Sequence, residues 1–330
     1  MDSISRSLRS FVPALMIALL PCAALFAEEQ ALVPESAPAL VVDAAGGGDF
    51  RTIGAAIAQA QPGARILIRP GLYKEALAMT KPLHLEGVGE KNGDVRIEAE
   101  GAPCLRVTAD SGFVARLSMK TAGRGNAHCL EITRGKVVVE EVDLSSRRGS
   151  VVAVHGPEAQ PTIRKSLLHD GWEAGLLVYD GAGGRYEDNE IFGNALSGVA
   201  VTAGGDPLVV NNRIRDGKKA GIEVFQGGRG RFERNTISGN GATGVAVKEG
   251  GDPVLIENTI RGNREAGIWV YNEGLGRYEQ NIVTGNRMEG IDVQSGAPVI
   301  LRNRLSGNQG GGLVIREGAE PTLEGNTEEE

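Results

Sequence analysis

Eight positions in this 330-residue chain stand in one recurring place and carry chemistry-bearing side chains: His155, Tyr179, Thr202, Phe225, Lys248, Tyr271, Gln294 and Arg316. Each lies four residues past a position that is usually glycine. Two residues past the same position stand Leu177, Ala200, Glu223, Ala246, Trp269 and Asp292. In an extended segment, residues two apart share a face. Tyr179, Phe225, Trp269 and Tyr271 would then form a rigid aromatic surface suited to the C–H faces of sugar rings. Glu223, Lys248, Asn272 and Asp292 could fix hydroxyls or carboxylates beside them. A solvated sheet with scattered aromatics would show the same pattern.

Catalysis is harder to assemble from these residues. Glu223 and Asp292 lie three repeats apart, roughly 14 Å at the spacing of stacked strands. Glycosidase carboxylate pairs lie about 5 to 9.5 Å apart. No acidic cluster offers the several oxygen ligands a calcium site needs. The four histidines are His84, His128, His155 and His169, and none has metal-ligand spacing. No metal or cofactor is expected.

The spacing itself comes from a repeat. Asn189, Asn212, Asn235, Asn258, Asn281, Asn303 and Asn326 follow one another at steps of 23 or 22 residues. A second asparagine follows five residues on, at Asn194, Asn240, Asn263, Asn286 and Asn308. A glycine follows nine on, at Gly198, Gly221, Gly244, Gly267, Gly290 and Gly312. A fixed period of this length marks a solenoid. Gly and Asn are weak helix formers, and the apolar residues alternate with period two. The expectation is an all-β parallel β-helix with one coil per ~23 residues, stacked at roughly 4.8 Å. Ile191, Ile214, Ile237, Ile260, Val283 and Leu305 should form one inward column, and Ile222, Val245, Ile268 and Ile291 another. The asparagines should sit at turns, tolerate the left-handed conformation, and bond one another in a ladder. The glycines should supply positive φ.

A longer beat of 46 residues relates GGRYE, GRGRFE and GLGRYE. Tyr186, Val209, Phe232, Leu255 and Tyr278 then share an inward column. Their outward neighbours alternate between Arg/Glu pairs and apolar pairs such as Leu208/Val210 and Val254/Ile256. Arginine stems could cover the apolar rungs, or a protein partner could use them.

Residues 1–27 differ in kind. Arg6 and Arg9 precede FVPALMIALLPCAALFA, a short apolar run ending in small residues. This reads as a signal peptide cleaved after Ala27, with Cys22 an imperfect lipid-attachment alternative. An exported protein in the periplasm, at the cell surface or outside the cell follows, with no transmembrane span in the mature chain. Residues 28–37 read as a linker and 38–330 as a single solenoid domain. Loss of Asp2, Arg6 and Arg9 takes the formal charge from −7 to −8. With no basic run, nucleic acid is not an expected partner. Cys104 and Cys129 occupy the same place in consecutive coils. They could form a disulfide or remain stacked free thiols.

The entry segment VVDAAGGGDFRTIGAAIAQAQPGARILIRPGLYKEAL reads as a strand at LVV, a glycine loop, a short helix over 52–60, a strand at ILI and a turn at PGLYKE. Ile53, Ala56, Ile57 and Ala60 fall on one helix face. Its GGGDFRTIGAAIAQAQPGARILIRPGLYKE resembles the entry of pectin-lyase-like β-helices, including pectin methylesterases. GRYEDNEIFGNALSGVAVTAGGDPLVVNNRIRDGKKAGIEVF resembles CASH-type (carbohydrate-binding and sugar-hydrolase) repeats. The resemblance spans about residues 39–326. It implies a right-handed helix whose short N-terminal helix caps the open core. It specifies no activity, because this fold hosts many functions. The DFIFG motif of the methylesterases and the DPHD motif of mannuronan epimerases are both missing, although Asp206-Pro207 and Asp252-Pro253 are present.

Three function classes follow. The chain could be a non-catalytic binder of a polysaccharide or cell-envelope glycan along the Tyr179–Arg316 face. It could be a polysaccharide lyase, hydrolase or epimerase. It could be a protein-binding scaffold using the Leu208/Ile256 face.

Overall fold

The computed structural model describes residues 39–91 and 93–329. The expected signal peptide, Cys22 and the linker 28–37 lie outside the described residues. The rest is a right-handed parallel β-helix of about 13 turns. Three wholly parallel sheets run its length, with 13 strands in sheet A, 12 in sheet B and 11 in sheet C. One coil runs, for example, through Arg231–Glu233 in sheet A, Thr236–Ser238 in sheet B and Val245–Val247 in sheet C.

Period-two alternation explains the core. The middle residue of each short strand in sheets A and B points inward, and both flanking residues of each strand in sheet C do so. Tyr186, Val209, Phe232, Leu255 and Tyr278 are fully buried, as are Ile191 through Leu305 and Ile222 through Ile291 in their columns. Register is regular: Phe232 aligns with Leu255 and Leu255 with Tyr278. The Tyr186 hydroxyl donates to the carbonyl of Gly183 at 2.8 Å, so the buried phenol is satisfied.

The asparagine ladder stands at the turn between sheets A and B. Nδ2 of Asn212 donates to Oδ1 of Asn235 at 3.0 Å and to the carbonyl of Tyr186 at 2.9 Å. Oδ1 of Asn235 also accepts the backbone N–H of Asn212. One buried amide thus satisfies backbone groups that a tight turn would otherwise orphan. Ser166 begins the ladder: its N–H donates to Oδ1 of Asn189, and its hydroxyl accepts the N–H of Val142.

Several local expectations need correction. The left-handed residue is not the ladder asparagine but the one before it: Asp188, Asn211, Arg234, Glu257, Gln280 and Arg302 have φ of 51–57°. The asparagine side chain is needed inside, so the strained conformation passes to an exposed neighbour. The column glycines do not have positive φ either. Their reason is space: a Cβ on Gly244 would lie 2.4 Å from Cγ2 of Ile260 and 2.6 Å from the carbonyl oxygen of Gly267. PGLYKE is not only a turn. Gly71–Lys74 is the first strand of sheet B, with Tyr73 buried beneath it.

The helix Ile53–Gln59 buries Ile53, Ala56 and Ile57. Thr52 caps its N-terminus through Oγ1 and the N–H of Ala55. The Glu75 carboxylate accepts the N–H groups of Ile53 and Gly54 at 2.9 and 2.8 Å, a charge well placed for the helix dipole. Of the two alternatives for Cys104 and Cys129, the structure has the thiols unlinked. Both are buried free thiols, aligned where the N–H of Cys104 donates to the carbonyl of Cys129. Burial pushes the Cys129 thiol up, while its hydrogen bond to Cys104 lowers the latter.

Candidate functional site

The outer face of sheet C gathers most of the residues singled out from sequence. Glu223, Ala246, Trp269 and Asp292 align across adjacent strands. Phe225, Lys248 and Tyr271 follow just beyond the strand ends. The Lys248 ammonium lies 5.3 Å from the Phe225 ring centroid and 5.9 Å from that of Tyr271. It pairs with Glu223 at 3.0 Å. Burial opposes the Lys248 charge, but the Glu223 carboxylate outweighs it and holds the ammonium above its ordinary value. Trp269 and Tyr271 stack at 3.9 Å and 18°. The indole Nε1 is buried and has no hydrogen-bond partner among the described residues.

This stacking alters the picture from sequence. The rings are not a row of separate flat platforms, because each long side chain leans on the next coil. Phe225, Lys248, Tyr271 and Trp269 form one half-buried ridge. Asp292 is not available on the surface as expected: it is 4 % exposed. Arg316 covers it through hydrogen bonds of 2.9 and 3.3 Å, and Gln294 adds another at 3.3 Å.

A second group lies toward the N-terminus of the same face. His155 aligns with Tyr179, and their rings stack at 4.8 Å and 17°. Nε2 of His155 lies 3.2 Å from Oε1 of Glu131. Arg106 Nε donates to the other oxygen of Glu131 at 2.7 Å. Burial alone would raise the Glu131 carboxyl; the bonds from Arg106 and His155 outweigh it and keep the group below the ordinary carboxylate range. Burial, with Asp180 and Glu131 nearby, raises the Tyr179 phenol. Sequence reasoning missed Glu131 and Arg106. The signal was the outward column of Glu223 run backward through Leu177 and Ala153, but those coils lack the asparagine beat that sets the frame.

Sheet A gives the protein-scaffold reading little exposed surface. Leu208, Val254 and Ile256 are half-buried and Val210 is buried. Ion pairs flank them, as in Arg185–Glu187 at 2.6 Å and Arg277–Glu279 at 2.6 Å. In register, Leu208 stands between Arg185 and Arg231 on the neighbouring strands. Among the described residues, no three His, Cys, Asp or Glu are placed to hold a metal ion. No described helix is long and apolar enough to cross a membrane.

Three parallel sheets, an internal asparagine ladder and a helix at the N-terminal end define a right-handed parallel β-helix. The chain belongs to the family described as the right handed beta helix region, whose model matches residues 119–259 and 243–329. Similar solved structures include the Azotobacter vinelandii mannuronan C-5 epimerase AlgE6 A-module. It is 18 % identical with TM-score 0.62, over 84 % of this chain and 93 % of that one. The periplasmic alginate epimerase AlgG is 12 % identical with TM-score 0.55, over 81 % of this chain and 77 % of that one. Pectate lyase Pel9A is 15 % identical with TM-score 0.56, over 88 % and 77 %. At these identities the likeness establishes the fold.

Proposed function

We propose that this chain is an exported β-helix protein that holds a polysaccharide or cell-envelope glycan along the outer face of sheet C. The observation that carries this reading is the ridge of Phe225, Lys248, Tyr271 and Trp269, with Glu223 paired to its central ammonium. Aromatic faces beside a fixed cation and carboxylate can pack a sugar ring and bond its hydroxyls. Solved structures of the same fold that are named as alginate epimerase and pectate lyase support the ligand class. The test incubates the protein with acidic and neutral polysaccharides and reads retention and chain shortening in the same samples. Retention without shortening is expected. No retention on any member of the panel would sink the reading.

A second reading, a polysaccharide lyase or epimerase, rests on Glu131, His155 and Tyr179. Glu131 accepts from Nε2 of His155 and so favours the tautomer with its lone pair on Nδ1. That nitrogen could take a proton from a sugar carbon, with the Tyr179 hydroxyl returning one. Unsaturated chain ends, or altered sugar configuration by NMR, would reveal such activity. If either appears in wild type and persists in both His155→Ala and Tyr179→Phe, this assignment is wrong.

A further inference from the structure

The geometry points to a separate subsite for a carboxylate-bearing sugar ring, at the corner between sheets B and C, where Trp172 faces Arg147 and Lys218 around a cleft. The cleft measures about 170 Å³ and is also lined by Asp170, Gly171 and Gly193. This inference rests on the polysaccharide reading above and narrows its ligand to an acidic glycan.

Three independent observations converge there. First, Trp172 is 60 % exposed, the most exposed of the large apolar side chains among the described residues. Its backbone N–H donates to the carbonyl of Ser146 at 3.0 Å, which fixes its place on the corner. The Arg148 guanidinium lies 5.9 Å from its ring centroid. Second, arginines on the sheet faces are largely held by carboxylates, as Arg215 is by Glu190 and Asp216. Arg147 and Lys218, both exposed, have no ion-pair partner among the described residues. The one acidic side chain lining the cleft, Asp170, is engaged by Nδ1 of His169 at 2.9 Å. Unpaired cations on a chain of net charge −7 concentrate positive potential locally.

Third, the cleft falls where the second asparagine column begins. Positions 171 and 217 are glycine, while Asn194, Asn240, Asn263, Asn286 and Asn308 form the column. Oδ1 of Asn194 accepts the N–H of Gly171 at 2.8 Å. A Cβ on Gly171 would lie 2.8 Å from that same oxygen. Gly171 has no room for a side chain, and with Gly193 it lines the cleft between Trp172, Arg147 and Lys218.

The chemistry that fits is a ring with an apolar face and an anionic substituent. The ring packs on the indole, and the carboxylate bonds Arg147, whose planar fork suits it, and Lys218. A single-stranded nucleic acid also offers rings and anions, but its dense phosphates would meet the net negative charge of the whole chain. The strand Leu176–Tyr179 leads directly from this corner to Tyr179 on sheet C. A polymer seated on that face can therefore place one residue at Trp172.

The test uses the full wild-type chain, with Trp172→Phe as the control that separates the Trp172 signal from that of Trp269. The fluorescence is titrated with trimers of galacturonate and mannuronate, with their methyl esters, and with a short oligothymidylate. A saturable change with one acid trimer is expected, at least tenfold weaker for its ester. Arg147→Gln with Lys218→Gln should weaken the acid trimer to the level of the ester. The ester comparison needs no further substitution, so a misfolded double variant does not weaken the test. Equal response to acid and ester, a response to the oligothymidylate alone, or no response would each overturn the subsite. Retention of acidic polymer by wild type without any Trp172 response overturns the subsite and leaves the sheet C reading standing. A Trp172 response without polymer retention does the reverse.

Discussion

Nδ2 of Asn235 donates to Oδ1 of Asn258 at 3.0 Å, and that same oxygen accepts the backbone N–H of Asn235 at 2.9 Å. Asn258 in turn donates to the carbonyls of Phe232 and Ile256. Its Nδ2 also donates to Oδ1 of Asn281 at 3.0 Å, so one side chain closes hydrogen bonds on both neighbouring coils.

Removing it should cost more than one ordinary hydrogen bond. Asn258→Ala strands a buried N–H and at least one carbonyl, at about 1–3 kcal/mol each. Urea unfolding should show a loss of roughly 3 kcal/mol. Asn326→Ala, at a partly exposed rung, should cost clearly less. Equal losses would mean that the ladder contributes little beyond turn formation.

The column glycines give a packing prediction. In Gly244→Ala the new methyl meets Cγ2 of Ile260 and the carbonyl of Gly267. Overpacking of this kind costs about 1–3 kcal/mol. At Gly262 a Cβ has open space, and only the φ of 63° opposes it. Gly244→Ala should lower the thermal midpoint more than Gly262→Ala; the opposite order would show that strain, not space, selects glycine.

His169 makes stability depend on pH. The hydrogen bond to Asp143 raises its affinity for a proton, burial opposes this, and Asp170 adds to it. Its ring also stacks on Phe192 at 4.9 Å. A raised folded value means the contribution is fully present below the unfolded imidazole value and is lost as pH rises through the folded one. His84 and His128 are pushed down by burial and act in the opposite sense. Comparing wild type with His169→Gln removes that background. The difference in urea midpoint should be larger at about pH 5.5 than at about pH 8.5. A difference independent of pH would contradict the assigned proton.

The sheet C ridge can be tested residue by residue. Phe225→Ala with Tyr271→Ala removes both rings beside Lys248. Polysaccharide retention should fall at least tenfold, about 1.4 kcal/mol. Thr259→Ala on sheet B should leave retention unchanged. Undiminished retention in the double variant would move the binding face elsewhere.

Cys104 and Cys129 should resist alkylation in the folded protein and both react in denaturant without reductant. A linked pair of peptides in place of two alkylated ones would show that the thiols oxidise.

Much of this architecture was legible before folding was considered. The 23-residue period and the alternation of apolar residues determined the coil, its inward columns and the ladder, because each coil repeats the same local solution and contacts only its neighbours. The helix was legible over 52–60 from the spacing of Ile53, Ala56, Ile57 and Ala60; it folds over 53–59 with Thr52 as its cap. The burial of Asp292 under Arg316 was not, and neither were the sandwich of Lys248 between two rings and the meeting of Arg106 and Glu131 with His155. Those depend on how long side chains on adjacent coils lean, and leaning is set by neighbours 22 to 26 residues away. The cleft beside Trp172 belongs to the same class. Ser146, Gly171, Gly193 and Lys218 lie on successive coils, and they line one cleft only when those coils stack.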